Sequence, residues 1–65
     1  MTVPEVELEL RIRLQEAIAA RSQSGLIDVG VLSGLYGVGT NDFQAWAMEA
    51  LDKADHDTQM WWRGC

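Results

Sequence analysis

Residues 4–21 read PEVELELRIRLQEAIAAR. Val6, Leu8, Leu10, Ile12 and Leu14 alternate with Glu7, Glu9, Arg11 and Arg13, a period of two that signals a strand. Three features point to a helix instead. Thr2 and Glu5 stand at capping-box spacing, with Pro4 inside the first turn. Glu7 with Arg11, and Glu9 with Arg13, are i,i+4 pairs in the favourable order. Residues 15–21 continue without a break in strong helix formers. We take residues 2–22 as helix, with a strand over residues 5–14 as the competing reading. On a helix the apolar residues form two stripes: Val6, Leu10, Leu14, Ala17 and Ile18, and a narrower one of Leu8, Ile12 and Ala19. One stripe is enough to bury a surface helix. The second predicts contact with another molecule, and a strand would equally need a pairing partner.

Working outward, residues 22–25 (SQSG) predict a loop. Asp28 is placed to cap a short second helix ending near Tyr36, in which Gly30 and Gly34 are expected close-packing positions. Residues 37–39 (GVG) predict a turn, after which Thr40 or Asn41 caps a third helix, with Asn41 and Gln44 at capping-box spacing. There Phe43, Trp46, Ala47, Ala50, Leu51 and Ala54 make one amphipathic face, and Glu49 pairs with Lys53. Asp57 and Thr58 can cap once more before Met60, Trp61 and Trp62. The expectation is one all-α domain over residues 1–65: three helices, a helical corner and an aromatic C-terminal tail.

In that corner Leu32 is apolar, Ser33 is small, Tyr36 precedes Gly37, Val38 follows the turn, and Phe43 and Trp46 are apolar. Residues 32–46 resemble a helix-turn-helix motif on those positions: glycine permits the left-handed turn and a small residue lets helices cross closely. The resemblance implies that the second helix enters the DNA major groove, with Thr40, Asn41 and Gln44 towards the bases. Asn and Gln can read adenine edges. The chain departs from the motif in charge, because no Lys or Arg occurs between residues 22 and 52, and phosphate neutralisation supplies most of the affinity for DNA.

Ten acidic and five basic residues in 65 leave a net charge of −5. That balance argues against nucleic acid or an anionic membrane as the partner. Apolar residues make up 48% of the chain, too many for a disordered acidic tail. No signal peptide or membrane span is recognisable, so a cytoplasmic, reducing setting is expected. A domain this small buries a thin core and commonly needs a staple. The single cysteine, Cys65, and the single histidine, His56, supply neither an internal disulfide nor a zinc framework. The expected staple is self-association or a partner protein.

Candidate chemistry is sparse. Asp52 and His56 stand at i,i+4 spacing, which one continuous helix would place on one face, but two ligands do not make a metal site, and no metal or cofactor is expected. Cys65 lacks a fixed base beside it and reads as a free thiol. Gly34, Gly37 and Gly39 lack the spacing of a phosphate loop. Met60, Trp61 and Trp62 are the residues best suited to an interface, or alternatively fold back over the core. The sequence therefore points to a non-enzymatic acidic module, dimeric, that binds and modulates a protein with a basic site. Its expected contacts are Leu8, Ile12, Met60, Trp61, Trp62, Asp52 and Asp55. The alternative is a dimeric DNA-binding regulator using Thr40, Asn41 and Gln44.

Overall fold

The helix over residues 4–19 settles the first ambiguity. In the computed structural model, which describes residues 4–64, the chain forms α1 (Pro4–Ala19), α2 (Gln23–Leu35), α3 (Thr40–Lys53) and α4 (His56–Arg63). No strand occurs among the described residues. The all-α expectation holds, but the count is corrected from three helices to four, because the aromatic tail is itself helical. The particle measures 33 × 19 × 18 Å, with α1 packed against both α2 and α3.

The wide stripe of α1 faces inward: Leu10, Leu14, Ala17 and Ile18 are buried. Leu14, Ile18, Val29 and Ala50 form the centre of the core, sealed by Leu26, Phe43, Trp46, Ala47, Leu51, Ala54 and Trp62. The pairs Glu7–Arg11, Glu9–Arg13 and Glu49–Lys53 close at 3.9, 3.0 and 3.1 Å.

The helix starts differ from expectation in three places. α2 begins at Gln23, not near Asp28, because Ser22 is its N-cap and Ser22 Oγ accepts from the Gly25 N–H at 3.0 Å. A Cβ on Gly25 would stand 2.8 Å from that oxygen, so glycine suits the cap. α3 takes Gly39 as its N-cap, with no side-chain hydrogen bond, and Thr40 and Asn41 already lie inside the helix. α4 is capped by Asp55, whose Oδ1 accepts from the Thr58 N–H at 2.9 Å; Asp57 and Thr58 follow the cap. The Thr2 half of the expected capping box on α1, and Cys65, lie outside the described residues.

α1 and α2 end with the same hydrogen-bond pattern. After α2, Val38 N donates to Ser33 O at 3.0 Å and Gly37 N to Gly34 O at 3.1 Å, with Gly37 at φ +83°. After α1, Ser22 N donates to Ala17 O at 3.0 Å and Arg21 N to Ile18 O at 3.1 Å, with Arg21 at φ +54°. Glycine usually occupies this left-handed position, and an L side chain there costs about 1–2 kcal/mol. Arg21→Gly should therefore stabilise the fold by about 0.5–1 kcal/mol after the extra freedom of the unfolded glycine is counted. Thermal melting should show a rise of a few degrees; a fall would mean that Arg21 makes a compensating contact.

Gly30 approaches α3, but a Cβ there would lie 3.6 Å from the Phe43 ring, an ordinary contact, so the expected need for glycine is not met. Nor is it met at Gly34: nothing lies within 4 Å of its Cβ position, so its smallness serves no contact within the described chain. Ser33 is 1% exposed, and its Oγ has no hydrogen-bond partner among the described residues. Smallness is what that position needs, and the hydroxyl is a cost. Ser33→Ala should raise stability by roughly 1 kcal/mol in denaturant titration, through relief of the unpaired hydroxyl and better helix propensity.

Candidate functional site

The second stripe of α1 is open. Leu8 is 61% and Ile12 46% exposed, one turn apart on the outer face. Glu5, Glu9, Glu16 and Arg13 line the same open strip, so three carboxylates and one guanidinium border two aliphatic side chains. Arg13 is held by Glu9. Such a strip suits an apolar contact ringed by basic groups.

The neighbouring arginine is committed to the fold. Arg11 Nη2 donates to Glu49 Oε2 at 2.6 Å, and its guanidinium carbon lies 6.0 Å from the Trp46 ring centroid. This tie between α1 and α3 was not anticipated, because the partners are 38 residues apart and no local pattern marks them.

At the far end, α4 folds back onto α1. Trp62 Nε1 donates to Ile18 O at 2.9 Å, and its ring packs against the core. Trp61 is half-buried and meets Trp62 edge-on, with ring centroids 4.9 Å apart at 89°. Both tryptophans therefore lean on the fold, while Met60 is 50% exposed. Gln59 Nε2 fixes the α3–α4 corner by donating to Leu51 O at 3.0 Å and Ala54 O at 3.2 Å. Asp52, Asp55 and Asp57 are exposed around that corner, and Asp55 doubles as the cap. Ten residues, about 15 Å of helix, separate Leu8 from Ile18. The expected contact residues thus split between the α1 strip and the α4 end.

Two carboxylates are shifted. Hydrogen bonding from Lys53, then the nearby Arg11 charge, holds Glu49 below its ordinary value of 4.5. Hydrogen bonding from Thr58, side chain first and then backbone, holds Asp55 below 3.8. A depressed folded-state pKa stabilises above the ordinary value and is lost as pH falls through the folded one. The melting temperature should therefore fall as pH drops below those ordinary values of 4.5 and 3.8, and the Glu49→Gln/Asp55→Asn double variant should fall less. Parallel slopes in a pH series of thermal melts would contradict this.

Thr40, Asn41 and Gln44 are all exposed at the start of α3. A mostly apolar hollow of about 260 Å³ is lined by Ile18, Leu26, Ala47, Met48, Leu51 and Trp62, with little polar surface to orient a ligand. Among the described residues no three His, Cys, Asp or Glu side chains gather as metal ligands, and no helix is long and apolar enough to cross a membrane. One surface escaped the sequence reading: Ile27, Val31 and Leu35 on α2 are 64%, 61% and 79% exposed. Comparison with family models, curated proteins and solved structures finds no match to this chain.

Proposed function

We propose that this chain is a non-enzymatic acidic binding module that modulates a partner protein in a reducing, cytoplasmic setting, and that it self-associates. The partner-docking face is the outer strip of α1. One observation carries this reading: Leu8 and Ile12 stand exposed a turn apart, bordered by Glu5, Glu9 and Glu16. The partner surface this fits is an apolar patch flanked by Lys or Arg, with the carboxylates steering the encounter. Met60, Asp52 and the edge of Trp61 form a second proposed contact at the α4 end. Trp62 and Asp55 also serve the fold, so they are poor probes of binding.

The test is affinity capture from a lysate of the source organism, with and without nuclease, using wild type and the Leu8→Glu/Ile12→Glu variant. Both substitutions fall on exposed helix positions, so the fold should survive. The expected result is a nuclease-resistant protein that binds wild type and is weakened at least about tenfold in the variant. Retention of that protein by the variant would remove α1 as the docking face. Recovery of nucleic acid alone, lost on Asn41→Ala, would establish instead the DNA-reading alternative through Thr40, Asn41 and Gln44.

A further inference from the structure

We propose that a second copy of this chain docks along the outer face of α2, in an antiparallel helix pair centred on Val31. This rests on the self-association proposed above but not on the α1 docking face. α2 is apolar on the side away from the core as well as on the side towards it. Val29 and Ser33 are buried, whereas Ile27, Val31 and Leu35 stand out at 64%, 61% and 79% exposure. A helix apolar all round is ordinarily covered all round. At 13 residues it is about 20 Å long, too short to seek a bilayer core.

Charge selects the occupant. Each copy carries −5, so most encounters set carboxylate against carboxylate, as at Glu5, Glu9 and Glu16 on α1 or Asp52, Asp55 and Asp57 at the α3–α4 corner. Between residues 22 and 41 the chain has one charged side chain, Asp28. The α2 face is therefore where two copies meet with least repulsion. Its geometry is also self-complementary. Ile27, Val31 and Leu35 form an i, i+4, i+8 ridge of the kind that interdigitates between helices, and a two-fold interface must use the same patch on both sides. Centred on Val31, Ile27 faces Leu35 of the second copy and Val31 faces its counterpart. The two Asp28 positions then lie about 9 Å apart along the axis. Gly34, with open space over its Cβ position, falls opposite Asp28 of the second copy and leaves that side chain room to turn towards water.

A specific interface needs about 500 Å² from each copy, roughly a ninth of the 4556 Å² of this protomer. One face of α2 supplies no more than that, which makes the pair a weak one, in the micromolar range.

The experiment is sedimentation equilibrium of the full chain with reductant, from about 5 to about 500 µM, on wild type, Val31→Glu, Leu35→Glu and Leu8→Glu, each checked for helicity by circular dichroism. Wild type and Leu8→Glu should dimerise. Val31→Glu and Leu35→Glu should weaken the dimer by at least about tenfold, and either folded variant suffices. Added salt should tighten the wild-type dimer, because it screens repulsion between acidic copies and has no ion pair to break at the seam. A wild-type monomer throughout would overturn the seam and self-association together while leaving the α1 capture result standing. A dimer that survives both α2 substitutions, dissolves with Leu8→Glu, or loosens with salt would overturn the seam alone.

Discussion

Trp62→Ala should destabilise the protein by about 3 kcal/mol, towards the lower end of the range for removing a large aromatic, since the ring is only half-buried. For a 65-residue domain the whole stability is roughly 3–10 kcal/mol, so the variant loses from about a third to all of it. The reason is positional. α4 has eight residues, too few to hold as an isolated helix. It is held by Asp55 and Gln59 at its start and by Trp62 at its end, where the ring seals Ile18 and Leu51 and the indole N–H meets Ile18 O. That carbonyl lies in the last turn of α1, where helical acceptors run out of intrahelical donors, so removing the indole uncovers the core and leaves the carbonyl half-satisfied. Trp62→Phe keeps most of the apolar contact and loses the hydrogen bond, at a cost of about 1 kcal/mol. Equilibrium denaturation of both variants separates the terms. Near-wild-type stability of Trp62→Ala would mean that α4 contributes nothing to the fold.

This bond also shows where the sequence stopped being legible. Adjacent tryptophans predict that they diverge by about 100° on a helix, but which one turns inward depends on where α4 meets α1, 44 residues earlier. The Arg11–Glu49 tie is hidden for the same reason. The outer face of α2 is hidden for another. Its polar residues are Ser, Gln and one Asp, its glycines are neutral markers, and its apolar residues fall on every side, so the pattern carries no phase. Only docking against α1 and α3 decides that Val29 points in and Val31 out. α3 is the opposite case: Phe43, Trp46, Ala47, Ala50, Leu51 and Ala54 define one face, and all of them join the core or seal it. Short helices and glycine-bearing starts were the weakest ground. Residues 22–25 look like a loop because Ser22 and Gly25 are turn residues, and the same two residues make the cap of α2.

Leu14→Ala should cost about 3 kcal/mol, within the usual 2–5 kcal/mol for a buried leucine, whereas Leu8→Ala should cost under about 0.5 kcal/mol. Leu14 is 0% exposed at the centre of the core and Leu8 is 61% exposed. The contrast tests the reading on which the whole fold turns. In a strand, Leu8, Leu10, Ile12 and Leu14 would share one face, and truncating any of them would cost a similar amount. In the helix, the turn of 3.6 residues separates Leu10 and Leu14 from Leu8 and Ile12, so stability must alternate by pairs along a sequence whose hydropathy alternates by single residues. Denaturant titration of the four alanine variants reads this directly. Two costly and two nearly silent substitutions identify the helix, and the silent pair is the strip left for a partner. Four comparable losses would return the segment to a strand and remove the α1 docking face with it.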